Sequence, residues 1–226
     1  MAPDTLITYH FLMPDETSRE FTIDLDRQQP FLEKNPAHPR WTCMETERCP
    51  ACSLEGVAHC PAALDIADVV DAFGAIASFE CVDVHVLTPE RGYFKRCDSR
   101  TALRSLLGLI MATGGCPVLG QFRGLARFHL PFANRQEALF RAVSACLLKN
   151  YFALGPAAPV AAVCELAPLA ALYEQVQTVN EALCRRLRLA GESESSVSAL
   201  VQLFSHSVLF AEAAPKYLEE LRTLFE

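Results

Sequence analysis

The sequence predicts an α+β protein with a small antiparallel N-terminal sheet, a cysteine-rich loop and a mostly helical C-terminal half. Near the N-terminus, apolar residues alternate with polar ones, as in half-buried strands. Cysteines and prolines crowd into segment 28–60, and beyond residue 98 apolar residues recur at helical spacings of three and four. With 226 residues, 51% of them hydrophobic, regions 1–97 and 98–226 are expected to form one compact unit.

The individual elements follow from local patterns in chain order. Pro14-Asp15-Glu16-Thr17 is turn material between two apolar, strand-like runs. Pro61 suits the first position of a helix, on which Asp65 is expected to face water or the helix start. Asn134 and Glu137 resemble a capping box. The predicted elements are strands at 6–13, 21–26, 79–87 and 92–97, and helices from 61, over 99–113, from 134, over 169–187 and from about 195 to the end.

Charge and hydropathy exclude several partner classes. The chain has 27 acidic and 20 basic residues, a net charge of -7, whereas duplex-binding domains usually carry the opposite sign. No apolar run reaches the length of a spanning helix, and no positively charged leader precedes an apolar segment. We therefore expect a cytoplasmic protein with no nucleic acid and no membrane partner; a protein partner and the oligomeric state stay open. The basic cluster 185–188 is interpreted as a solvated helix face.

Six of the ten cysteines are scattered singly along the chain, and these are Cys81, Cys97, Cys116, Cys146, Cys164 and Cys184. Stable disulfides are not expected in a reducing compartment, and Cys146 and Cys184 lie in helical apolar patterns, where cysteine serves as a small buried hydrophobe. Four others crowd into 18 residues. These four are Cys43, Cys49, Cys52 and Cys60.

The motif that carries chemistry is Cys49-Pro50-Ala51-Cys52 followed by Cys60-Pro61. Cysteines at C-x-x-C spacing can place two thiolates on one ion through a tight turn, and zinc takes four such ligands tetrahedrally. Iron–sulfur clusters also use cysteine thiolates, and Cys-Pro recurs in their motifs. Cys60 precedes a predicted helix N-terminus, which favours a thiolate. The sequence thus predicts that Cys49, Cys52 and Cys60 bind metal.

The spacing alone leaves the fourth ligand open. Cys43 is closest in sequence, while Cys116 follows Gly114-Gly115, whose backbone could donate hydrogen bonds to sulfur. His59 and His129 are the histidine alternatives; otherwise His59 is a solvated loop residue and His129 a core histidine.

Three segments together resemble an uncharacterised bacterial family, a domain of unknown function. These are Cys-Pro-x-Cys with the later His-Cys-Pro, residues 108–117 and residues 126–133. The resemblance spans about residues 5–190, with matches at Cys49, Cys52, Cys60, Cys116 and His129. The family pattern carries arginine where this chain has Cys43. The resemblance therefore favours Cys116 as fourth ligand, and it implies no activity.

Three functional hypotheses follow. The first is a zinc-stabilised binding or regulatory module, and the second is a [4Fe-4S] protein of electron transfer or redox sensing. The third is an enzyme with Cys60 or Cys116 as nucleophile and His129 or His59 as base. No complete catalytic constellation and no phosphate-binding loop is recognisable, so an enzyme is the weakest of the three and no catalytic residue is assigned.

Overall fold

The computed structural model describes residues 5–27, 38–191, 196–201, 219 and 221–226. The strands are β1 (Leu6–Leu12), β2 (Ser18–Asp24), β3 (Cys81–Leu87) and β4 (Gly92–Asp98). The α-helices are α1 (Pro61–Ala72), α2 (Ser99–Ala112), α3 (Arg123–Arg127), α4 (Arg135–Leu154), α5 (Val160–Val163) and α6 (Ala167–Ala190). Short 3₁₀ turns cover Arg40–Thr42 and Leu119–Phe122.

The strands form one antiparallel sheet in the order β2-β1-β3-β4. Tyr9 in β1 lies opposite Phe21 on one side and Val86 on the other, and alternate residues of the inner strands face the core. The buried side chains are Ile7, Tyr9, Phe11, Phe21, Ile23, Val82, Val84 and Val86. The predicted sheet and the helical second half, and with them the α+β fold class, are confirmed.

Helix boundaries follow the capping chemistry. The Asp98 side chain accepts from Thr101 N–H at 2.8 Å and so caps α2. At α4, Asn134 and Glu137 form the predicted capping box, each side chain bonding to the backbone of the other residue. These caps satisfy N–H groups that have no partner inside the helix.

One hydrophobic core joins both halves of the chain. Side chains from the sheet, α1, α2 and α6 belong to a single buried cluster, and a smaller cluster lies between α4 and α6. Cys146 and Cys184 are buried in these clusters, 8% and 4% exposed, as expected of cysteines used as small hydrophobes. Within the described residues, no helix is long and apolar enough to span a membrane.

Parts of two predictions lie outside the described residues. Of the cysteine-rich loop predicted at 28–60, the structure describes 38–60, and it contains all four clustered cysteines. Of the predicted C-terminal helix from about 195, the described parts are 196–201, 219 and 221–226.

Candidate metal centre

Cys49 and Cys52 share one tight turn. The N–H of Cys52 donates to the carbonyl of Cys49 at 3.0 Å, which is the turn that the C-x-x-C spacing predicts. Burial raises the pKa of the Cys49 thiol, while the N–H of Ala51 acts in the opposite direction. The turn thus presents two half-buried thiols, one of them with a backbone donor beside it.

Cys60 occupies the N-cap position of α1, directly before Pro61. Burial raises the pKa of its thiol, and the N–H groups of Ala63 and Ala62 oppose that effect. These N–H groups face the sulfur without completing a cap hydrogen bond. The positive end of a helix is therefore directed at this thiol.

Cys116 lies in the loop that follows α2. Burial raises the pKa of its thiol to about 11, opposed by the N–H groups of Leu119 and Val118. The sequence predicts that Gly114 and Gly115 supply such donors. The structure assigns that part to Val118 and Leu119 instead, because the 3₁₀ turn after Cys116 directs its N–H groups back toward the sulfur.

The two glycines serve close packing. A Cβ on Gly114 would lie 1.8 Å from Oδ2 of Asp65, and one on Gly115 would lie 3.2 Å from Cβ of Pro61. Both neighbours belong to the first turns of α1, the helix that Cys60 caps. The Gly-Gly pair therefore lets the Cys116 loop run directly against the start of α1.

The prediction that Asp65 faces water or the helix start is wrong. Its side chain is fully buried, and its Oδ1 lies 2.6 Å from Nη1 of Arg27. The same guanidinium donates through Nη2 to the carbonyl of Ile110 at 2.6 Å. Burial is tolerated because the carboxylate has a charged partner, and the pair ties the chain after β2 to α1 and α2.

Four thiols from three separate segments influence one another electrostatically. Negative charge on Cys52 and Cys60 raises the pKa of Cys49. Negative charge on Cys60 and Cys49 likewise adds to the raised pKa of Cys116. Since such effects weaken with distance and with screening, the fold places Cys49, Cys52, Cys60 and Cys116 in one neighbourhood.

This neighbourhood is not a finished ligand cage. Among the residues that the structure describes, no group of three or more His, Cys, Asp or Glu side chains could hold a metal ion as it stands. Metal binding by all four thiols would therefore require the sulfurs to move from the positions described here. The ligand set of Cys49, Cys52, Cys60 and Cys116 therefore stays a prediction.

The cysteine loop is anchored to α6 by two arginines. Arg186 is 1% exposed, and its Nη1 donates to the carbonyl of Trp41 at 2.8 Å and to that of Cys43. The Nε of Arg185 lies 2.6 Å from a carboxylate oxygen of Glu47. Interpreting the 185–188 cluster as a solvated helix face was therefore wrong for Arg186, because backbone carbonyls of the loop replace water around its guanidinium.

Both arginines also act on the thiols. Arg185 lowers the pKa of Cys49, and Arg186 lowers that of Cys60, although burial is the larger effect at each cysteine. Sequence reasoning missed this contribution because nothing in the local pattern of α6 separates an arginine that faces water from one that faces a loop carbonyl.

The alternative ligands have other surroundings. Cys43 pairs with His59 in an isolated antiparallel bridge, and Nδ1 of His59 lies 2.8 Å from the hydroxyl of Thr42. Nε2 of His129 lies 2.6 Å from the hydroxyl of Tyr9. One ring nitrogen of each histidine is thus engaged by a neighbouring hydroxyl.

A search of curated proteins and a search of solved structures gave no significant match. A family model, by contrast, matches residues 7–226, almost the whole chain, and its description states no function. The chain belongs to the family DUF6901, a domain of unknown function.

Proposed function

We propose that Cys49, Cys52, Cys60 and Cys116 bind one zinc ion, and that the protein is a cytoplasmic, metal-stabilised binding or regulatory module. The observation that carries the proposal is the neighbourhood of four electrostatically coupled thiols, of which three have backbone N–H groups directed at the sulfur. Such donors compensate the charge of thiolate ligands.

The electrostatics favour a cation at this position. Without metal, burial raises the pKa values of Cys49, Cys60 and Cys116, and the thiols disfavour charge on one another. A divalent cation reverses this balance, because a coordinating thiol is deprotonated outright. Arg185 and Arg186 supply additional positive potential from α6.

A site of four thiolates is closed. Catalytic zinc usually keeps one position for water, whereas structural zinc has four protein ligands. Here the metal would join the cysteine loop to the N-terminus of α1 and to the loop after α2. Its binding free energy would then contribute directly to folding.

A [4Fe-4S] cluster is the second candidate, because it would use the same four cysteines. The raised thiol pKa values speak against a cysteine nucleophile, which needs a lowered pKa to be a thiolate at neutral pH. The side chains of His59 and His129 contact the hydroxyls of Thr42 and Tyr9 rather than a thiol, so within the described part of the chain no thiol–imidazole pair supports the enzyme hypothesis.

Elemental analysis of the full chain, purified without oxygen, tests the metal. We expect one zinc ion per chain and a colourless solution. Iron with acid-labile sulfide and a brown colour would show that the site holds an iron–sulfur cluster instead of zinc. A chain that binds neither metal after reduction would contradict the proposal.

Matched serine variants test the fourth ligand. Cys116→Ser should lose the metal, whereas Cys43→Ser should keep it, because Cys43 is not among the thiols that act on Cys49, Cys60 and Cys116. Loss of metal in Cys43→Ser with full content in Cys116→Ser would return the role to Cys43.

A further inference from the structure

A cavity of about 220 Å³ lies apart from the cysteines, between α2, α3, α4 and α6. None of the ten cysteines lines it. Its walls are largely apolar, with Leu109, Phe122, Leu125 and Phe132 among the lining residues. An apolar cavity of about 150 Å³ accommodates benzene, so this one has room for a six-membered ring with a small substituent.

The two arginines that line the cavity already have acids acting on them. Burial lowers the pKa of Arg104 and of Arg141, and the negative charges of Asp98 and of Glu137, respectively, oppose that effect. The Nη2 of Arg141 also donates to two backbone carbonyls, each at 2.8 Å. The lining therefore offers no positive charge that waits for an anion, and an uncharged ligand matches it better.

A chain of hydrogen bonds runs from the backbone to the cavity wall. The N–H of Phe132 donates to Oγ of Ser105 at 3.0 Å, and this Oγ lies 2.8 Å from the hydroxyl of Tyr9. The same hydroxyl lies 2.6 Å from Nε2 of His129. Within the described residues, the Tyr9 oxygen is the one acceptor in reach of the Ser105 proton. Ser105 therefore donates to Tyr9, and Tyr9 donates to Nε2 of His129, which satisfies each buried group.

This direction decides which nitrogen of His129 carries the proton. Since Nε2 accepts from Tyr9, the neutral imidazole carries its proton on Nδ1. Burial, assisted by the charge of Arg141, lowers the pKa of His129 to about 3, so the ring is neutral at pH 7. His129 lines the cavity and Tyr9 does not, and no hydrogen bond from the described part of the chain engages Nδ1. Nδ1–H is therefore a donor that the ring can offer to a ligand.

The backbone at Phe132 is strained beside this donor. Its φ of 59° lies in the left-handed region, which a bulky residue rarely adopts. The hydrogen bond from its N–H to Ser105 holds this conformation in place. Backbone strain of this kind persists only where the surroundings enforce it, and it concentrates at ligand sites. Ser105 thus fixes both the Phe132 wall and the direction of the hydrogen bonds that reach His129.

We propose that this cavity binds a small neutral carbonyl compound, with its oxygen on Nδ1–H of His129 and its apolar body against Leu109 and Phe122. The apolar walls favour an uncharged body, and the ring donor orients the oxygen. A carboxylate would lose its hydration there, while acids already act on both arginines of the lining. The proposal does not depend on the zinc site, because no cysteine lines the cavity.

Isothermal titration of the full-length protein tests the ligand class with three compounds of similar shape. Cyclohexanone carries the carbonyl, methylenecyclohexane has CH₂ in place of its oxygen, and cyclohexanecarboxylate carries a charge. We expect saturable binding of one cyclohexanone per chain, about tenfold tighter than that of cyclohexanecarboxylate, because the charged group loses more hydration. Absence of cyclohexanone binding, or tighter binding of the carboxylate, would overturn the proposal.

Nitrogen-15 NMR of the histidine side chains tests the donor in the unaltered protein. We expect the proton of the His129 ring on Nδ1, and cyclohexanone should shift the Nδ1 resonance more than that of Nε2. A proton on Nε2 instead, or no response of Nδ1 to the ketone, would overturn the hydrogen bond.

The variant His129→Leu separates the hydrogen bond from the apolar contacts. It should weaken cyclohexanone binding roughly fivefold, as expected for one hydrogen bond, and change methylenecyclohexane binding less than about twofold. An equal loss for both compounds would overturn the role of Nδ1–H. If His129→Leu does not fold, the NMR measurement decides this point.

A filled cavity tests the location. Ala112 lines the cavity, and Ala112→Leu should weaken the binding of cyclohexanone and methylenecyclohexane about tenfold through the loss of space. Ala145→Leu is the matched control, because Ala145 lies in α4 outside the lining, and it should leave both affinities unchanged. Undiminished binding in Ala112→Leu would overturn the site. Metal content, measured in every variant, separates this result from that of the zinc proposal.

Discussion

Arg186 is a charged side chain with almost no exposure, and its neighbours explain how burial is tolerated. Its guanidinium donates to loop carbonyls, including those of Trp41 and Cys43. These carbonyls would be left without a donor if the side chain became apolar, and each buried polar group without a partner costs about 1–3 kcal/mol. Arg186 is therefore a principal link between α6 and the cysteine loop.

Replacing Arg186 by methionine should lower the free energy of unfolding by roughly 2–4 kcal/mol. Urea unfolding at neutral pH measures the change. Arg188→Met is the matched control, because Arg188 is an exposed arginine of the same helix and its loss should have little effect. Equal stability of both variants would mean that water replaces the guanidinium at the loop carbonyls without cost.

His129 makes stability depend on acid. Its pKa of about 3 in the folded protein lies below the ordinary value of 6.5, so the unfolded chain binds the proton more readily. The resulting stabilisation is present in full above pH 6.5 and is lost as the pH falls toward 3. His129→Gln should therefore flatten the decline of the unfolding free energy over this range.

Chemical unfolding at several pH values measures that slope. His85→Gln is the control, because His85 lies on the exposed side of β3 and its removal should leave the decline in place. A wild-type slope in His129→Gln would show that other groups cause the acid sensitivity.

At the scale of elements, the contact between the Cys116 loop and α1 depends on the absence of one side chain. Gly114→Ala would place a methyl group against the carboxylate of Asp65. That carboxylate cannot move aside cheaply, because it is buried and bound to Arg27. We expect a loss of about 1–3 kcal/mol of stability and weaker metal binding.

Thermal unfolding compares Gly114→Ala with Gly124→Ala. A Cβ at Gly124 meets nothing within 4 Å, and alanine has a higher helix propensity than glycine at this position in α3. The control should therefore be neutral or slightly stabilising. If Gly114→Ala were equally harmless, the loop would have room that the structure does not show.

The elements themselves were largely predictable from sequence. The alternation in β2 and β3, the Asn134–Glu137 cap and the Gly-Gly end of α2 are local signals, and local signals are what a sequence pattern carries. The burial of Asp65 could not be predicted in this way, because its partner Arg27 lies 38 residues away. Arg186 contacts a carbonyl 145 residues away, which no helical periodicity reveals.

The candidate site was predictable to the same extent. The C-x-x-C turn and the N-cap position of Cys60 follow from spacing and from Pro61. The approach of Cys116 was implied by resemblance to a family rather than by periodicity. The donors to its sulfur, Val118 and Leu119, depend on a 3₁₀ turn that the sequence analysis did not predict.

For the whole molecule, metal removal tests whether the site connects the two halves. Chelation should expose the loop, because few of its described residues are buried. Trypsin should then cut faster after Arg48, an exposed residue beside Cys49, while its rate after Arg91 in the β3–β4 turn stays constant. Digestion followed by mass spectrometry reads both rates. Equal acceleration at the two sites would indicate global unfolding, and no acceleration would mean that metal does not order the loop.

The sequence separation of Cys60 and Cys116 sets how long the loop thiols wait for Cys116 during synthesis on the ribosome. Cys60, the last of the three loop thiols, emerges 56 residues before Cys116, an interval on the order of seconds during synthesis. Arg186, which holds the loop against α6, emerges later still. Throughout that interval the growing chain exposes the thiols of Cys49, Cys52 and Cys60 before either Cys116 or Arg186 has been synthesised. If the four thiols bind zinc as proposed, the yield of metallated protein should therefore depend on how strongly the cell keeps nascent thiols reduced.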